Sequence, residues 1–133
     1  ADIATCPALD DAPVATYAAA IREGGQASGK VIGVLGIHFD WGPQAAAVVR
    51  GVRLTEDEAR RTRVMLVDAQ HRVIAASDGQ GLLKETVALD TGNSNAGTYA
   101  DKQERIVAFH LTPGYETYRG LGWYGCIVQG QRG

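Results

Sequence analysis

Apolar and polar positions change rhythm several times along the chain, and each change marks an element. The stretch VIGVLGIHFDW (31–41) is the strongest strand signal. It places Val31, Gly33, Leu35, Ile37, Phe39 and Trp41 on one face and Ile32, Val34, Gly36, His38 and Asp40 on the other. Both faces are largely apolar, so the pattern predicts a central strand covered on both sides, with Gly33 and Gly36 leaving room for a neighbour. Residues 13–22 are rich in alanine but carry Val14, Tyr17 and Ile21. REGGQASGK (22–30) reads as a hairpin loop whose glycines supply left-handed positions, so 13–22 is predicted as a strand.

RVMLVDAQHRVIAAS (63–77) reads as a second hairpin, turning at Asp68-Ala69-Gln70-His71. ERIVAFHL (104–111) and GLGWYGCIVQ (120–129) are further strands. In the last, Trp123 and Ile127 face one way and Tyr124, Cys126 and Val128 the other. Residues 90–102 read as a polar loop, and Leu82-Leu83 as one helical turn. GPQAAAVVRGV (42–52) is predicted as a short helix, with Pro43 in its first turn, Gly51 at its end and Asp40 as a candidate N-cap. LTEDEARRTR (54–63) carries a capping box, Thr55 with Glu58, and two i,i+4 pairs, Glu56–Arg60 and Asp57–Arg61. The inventory is five or six antiparallel strands with short covering helices, an α+β fold.

Composition narrows the class. The chain has 133 residues, enough for one domain, with 45% hydrophobic and 21% charged residues and a net charge of −2. That balance argues against nucleic acid, which a basic face would serve, and against a polybasic membrane surface. No apolar stretch approaches the ~20 residues of a membrane-spanning helix. Two cysteines, Cys6 and Cys126, make no disulfide framework, and no metal-ligand spacing occurs. Residues 1–12 read as a polar leader and 13–133 as a single domain, and the Ala-Asp-Ile start fits a piece of a longer protein.

Three segments in order resemble the Cache domains, PAS-like sensory modules of bacterial transmembrane receptors. They are GKVIGVLGIHFDW (29–41), VMLVDAQHRVIAAS (64–77) and GYETYRGLGWYGCIVQ (114–129). The resemblance implies a PAS-like antiparallel sheet and a ligand-sensing part of a chemotaxis receptor, sensor kinase or diguanylate cyclase. It implies a periplasmic position, tethering through flanking membrane helices and a homodimer in the full receptor; no enzymatic activity and no cofactor are expected. Double Cache receptors for amino acids carry an arginine–tryptophan–tyrosine motif in their membrane-distal unit, and no such stretch precedes residue 41. The chain is then the membrane-proximal unit with the last strands of what precedes it, or it takes another ligand. A ligand-free spacer or dimerisation module is the alternative.

The loop TPGYETYRGLGWY (112–124) concentrates Tyr115, Tyr118, Arg119, Trp123 and Tyr124. An arginine can hold a carboxylate through two hydrogen bonds, and tyrosines can donate hydroxyls, so these residues are the expected contacts for a small-molecule ligand. The competing reading is a turn packed on the sheet. His38 and His110 share faces with small residues and join the candidate set if their strands pair. His71 belongs to a solvated turn, and Asp68 to that turn's own hydrogen bonds. Cys126 lies in an apolar strand, where burial suppresses the thiolate; with no nucleophile elbow or phosphate loop present, no catalytic residue is assigned.

Overall fold

The computed structural model describes residues 2–114, 116 and 119–131. It is a mixed α+β structure with two antiparallel sheets, and the chain divides into two compact units, Ala1–Pro43 and Gln44–Gly133.

The first unit is a three-stranded sheet in the order β1 (Ala4–Cys6), β2 (Ala12–Arg22), β3 (Val31–Asp40). Residues 4–6, inside the segment read as a leader, thus pair with β2, Ala4 opposite Val14. The β2–β3 hairpin runs from Val14 opposite Asp40 to Arg22 opposite Val31, with a bulge at Ile21/Arg22. Its loop closes where Glu23 N–H donates to Lys30 C=O, at 2.9 Å, and Gly24 and Gly25 take φ of 65° and 66° there. The expectation of a central, covered strand at 31–41 is corrected. β3 is an edge strand, and Val31, Ile32, Val34, Leu35, Ile37 and Phe39 are 48–69% exposed. Alternation reports which way side chains point, and a two-faced apolar strand implies two covering layers; in this sheet β3 has a neighbour on one edge alone. Tyr17 and Phe39 meet edge to face at 5.3 Å.

Trp41 leaves the strand and begins helix α1 (Trp41–Arg50), where Asp40 Oδ1 accepts the Gly42 N–H at 3.2 Å, the predicted N-cap bond. The second unit starts within this helix's first turn. Helix α2 (Glu56–Arg61) opens on the predicted capping box: Thr55 Oγ1 accepts the Glu58 N–H, and Glu58 Oε2 accepts the Thr55 N–H. Then come β4 (Thr62–Val67), β5 (Val73–Ala76), β6 (Ala96–Ala100), β7 (Ile106–Leu111) and β8 (Tyr124–Gln129), in the sheet order β5-β4-β8-β7-β6. Among the described residues there are eight strands in two sheets, against five or six expected. β6 lies in the segment read as loop; its Ala-Gly-Thr-Tyr-Ala run lacks an aliphatic face, and β7 supplies the pairing. At 81–85 a single turn forms, with Glu85 N–H bonded to Gly81 C=O, and a left-handed Leu83 keeps it from propagating.

One core cluster of this unit lies on one face of the sheet, and Val64, Leu66 and Ile74 are buried outside it. Met65 and Val67 of β4, Val73 of β5, Val107 and Phe109 of β7 and Cys126 of β8 pack there with Leu89. Cross-strand pairing builds it: Met65 faces Cys126, which faces Phe109. Gly97, opposite Phe109, leaves the ring its space; a Cβ there would stand 3.0 Å from Cζ.

The β4–β5 and β6–β7 turns use one device. Asp68 and Asp101 each begin a five-residue D-x-Q-x-R segment ending in Arg72 or Arg105. In each, the Asp Oδ1 accepts the N–H groups of the residues two and four ahead, Oδ2 binds the arginine Nε at 2.8–2.9 Å, and the fourth residue (His71 or Glu104) is left-handed. Asp68 is buried, 1% exposed, as its structural reading requires, whereas Asp101 is on the rim. Asp68→Ala is therefore expected to cost about 2–4 kcal/mol in urea unfolding, since it strands two N–H groups and a charge partner. Asp101→Ala is expected to cost clearly less; equal losses would show that burial is not what separates the two turns.

Candidate functional site

The segment carrying most of the predicted contacts is a loop closed at its base. The Thr112 N–H and hydroxyl both donate to the Trp123 carbonyl, at 2.7 and 2.9 Å. Glu116, Gly120 and Gly122 are left-handed within it, with φ of 51°, 77° and 75°. Arg119 is exposed, and Trp123 is half-buried. Tyr115 and Tyr118 lie outside the described residues.

Tyr124, the first residue of β8, turns onto the core face. Its ring meets His71 at 5.7 Å and Phe109 at 6.2 Å, both in edge-on geometry, and Phe109 meets Tyr99 at 6.4 Å. The Tyr99 hydroxyl accepts the Asp90 N–H at 3.0 Å. Tyr124 is thus one end of an aromatic row built across β8, β7 and β6. His71, read as solvated, is half-buried against this row. The signal for the row was present in sequence as alternation within each strand, but the strand order that aligns it was not.

The two candidate histidines stand in different sheets, His38 on β3 and His110 on β7, so the pairing their joint role needed does not occur. His38 Nδ1 is 2.9 Å from Thr16 Oγ1, its cross-strand neighbour. His110 Nδ1 donates to the Leu111 carbonyl at 2.6 Å. Among the described residues no group of three or more His, Cys, Asp or Glu is placed to hold a metal. His110 does line a groove of about 310 Å³ on the sheet face opposite the core, with Val48 and Val52 above and Val64, Leu66 and Ile127 below. Its walls offer dispersion contacts and almost no polar groups, so it suits an apolar occupant.

A larger cleft, about 850 Å³, was not legible in the sequence. It forms where β4 begins, β8 ends and β7 begins, a junction set by the rows Thr62–Gln129–Ile106. Arg50, Arg60, Arg61, Arg63 and Arg105 line it together with Asp78 and Glu85 over an apolar floor that includes Val49, Val52 and Val128. Three of these arginines are committed. Arg63 makes a two-pronged contact with Glu85 at 2.9 and 2.8 Å, donates to the Gln80 carbonyl at 3.0 Å, and places Nε 2.9 Å from Asp78 Oδ2. Arg61 binds the Gly130 carbonyl and Asp57, and Arg105 binds Asp101. Arg50 and Arg60 have no ion-pair or hydrogen-bond partner among the described residues, so of the two predicted helix pairs only Asp57–Arg61 forms. Gly81 is required here: its φ is 73°, and a Cβ would collide with the Glu85 side chain. The cleft concentrates positive charge in a chain of net charge −2 and offers two free guanidinium groups to an anion.

The Arg63 clamp holds the Glu85 carboxyl below its ordinary value of 4.5, chiefly through their hydrogen bonds, and raises the pKa of Arg63. Glu85 is deprotonated more readily folded than unfolded, so the stability it adds is present above pH 4.5 and is lost as pH falls through the lower folded-state value. Glu85→Gln is expected to flatten that part of the stability–pH curve, measured by urea unfolding between pH 3 and 6 (roughly the carboxylate range); an unchanged acid limb would remove the clamp from the account.

Burial pushes the Cys126 thiol up to about 11, and Cys126 is 1% exposed. A thiol so placed is a poor nucleophile. Cys6 is half-buried. A disulfide-exchange reagent at neutral pH is expected to label Cys6 in the native protein and Cys126 only on unfolding; rapid labelling of both would contradict the packing of β8. Among the described residues no helix is long and apolar enough to cross a membrane. No protein-family profile matches the chain, and a search of curated proteins finds no significant relative.

Proposed function

We propose that this chain is a PAS-like sensor domain of the Cache type, the extracytoplasmic ligand-binding part of a bacterial signal transducer such as a chemotaxis receptor. The observation that carries the reading is the position of the closing strand. β8 lies between β4 and β7 in the interior of an antiparallel sheet, and the loop 112–123 that leads into it ends at the aromatic row. That is the arrangement a PAS-like sensor needs: a ligand held by the loop would act directly on the strand by which the chain leaves the sheet. Arg119 is exposed, where it can meet an anionic group, and Tyr115 and Tyr118 belong to the same loop. Signalling then consists of a shift between two arrangements of loop and strand, no larger than the ligand's preference for one of them.

The spacer reading has its own support, since Tyr124, Phe109 and Tyr99 are already engaged with one another. Thermal unfolding against panels of amino acids, organic acids, purines and amines separates the two. A ligand at a hundred times its Kd adds about 2.7 kcal/mol to the native state, a rise of several degrees. A specific hit abolished by Arg119→Ala or Tyr118→Ala is the expected result. A hit unaffected by both changes would remove the loop as the site, and no hit across the panels would favour the spacer.

A further inference from the structure

The first unit leaves one sheet edge open and apolar. β3 is the terminal strand of its sheet, with no partner among the described residues on the side away from β2. Ile32 and Val34 on one face and Leu35 and Phe39 on the other are more than half exposed. Two long strands and one short one make a marginal sheet in water, and a long, flat, apolar edge is a template for a further strand. Within this edge, from Lys30 to Asp40, the only charged residues are those two at its ends. Neither forms an ion pair within the described chain.

We propose that β3 pairs antiparallel with β3 of a second copy of this chain about a two-fold axis at Leu35. Three features of the strand select this occupant and this register. A self-complementary antiparallel pairing matches residues whose backbone groups point the same way, so its axis passes through a residue, not between two. Placing the axis at Leu35 sets Lys30 opposite the partner's Asp40 at both ends, whereas a parallel pairing in register would set like charges together. The same register sets Gly33 opposite the partner's Ile37 and Gly36 opposite the partner's Val34. Each glycine thus meets a large side chain, and Gly36 has nothing within 4 Å of its Cβ position to compete. The product is a continuous six-stranded sheet built from two three-stranded ones. The inference uses the first unit alone and holds whether or not the sensor reading does.

Sedimentation across a concentration series tests the association, and charge reversal tests the register. Lys30→Asp and Asp40→Lys are each expected to weaken the dimer by at least about tenfold, and the double exchange to recover most of the loss. Cross-linking tests geometry in otherwise native protein: with Cys6→Ser, Leu35→Cys is expected to form a disulfide dimer readily. Ile32→Cys is expected not to, because two copies of Ile32 would be roughly 20 Å apart along the strands. A chain that stays monomeric at high concentration, a double exchange no better than either single one, or equal cross-linking at both positions would overturn the proposal.

Discussion

The second unit depends on the double pairing of β8. Its six residues are hydrogen-bonded to β4 on one side and β7 on the other, and they are the last strand to enter the sheet. A slip of one residue would turn Tyr124, Cys126 and Val128 away from the core and bring Gly125 and Ile127 in. The register is held at both ends. At the start, Thr112 ties the strand's entry to β7 through the Trp123 carbonyl; at the end, Arg61 and Gln129 bind across to Gly130 and Thr62. The loop 112–123 is therefore anchored on a rigid strand while its interior carries exposed Arg119, a combination suited to recognition.

Charged residues in this unit work mainly on the fold. The paired D-x-Q-x-R turns consume Asp68, Arg72, Asp101 and Arg105, and the Arg63 clamp consumes Asp78 and Glu85. Each links segments distant in sequence or closes a turn whose left-handed residue carries a side chain, and so offsets local strain with directed bonds. Among the described residues, the arginines left without an ion pair include Arg50 and Arg60 at the cleft and exposed Arg119 on the loop. The buried Cys126 thiol is held protonated by its surroundings.

The first unit has the opposite economy. Its β2–β3 hairpin carries few charges and exposes aliphatic and aromatic side chains on both faces, which a strand in a finished core would cover. Its two-faced pattern suits the interior of a larger sheet, and the self-pairing inferred for β3 is one way such a sheet is completed.

Local chemistry was readable in the amino-acid sequence wherever neighbours in the chain set it. The Thr55–Glu58 box, the Asp40 cap, the two hairpins and the inward and outward sides of β8 all follow from side-chain spacing over a few residues, and all are found. The structure decided what depends on partners far along the chain. β6 became a strand because β7 lay beside it. The aromatic row and the arginine cleft assembled because the sheet order brings residues 50–63, 78–85 and 105 to one end. The exposure of β3 departs from its pattern for the same reason. Periodicity encodes which way a side chain points, whereas covering it takes another layer, and no pattern within ten residues records whether that layer is there.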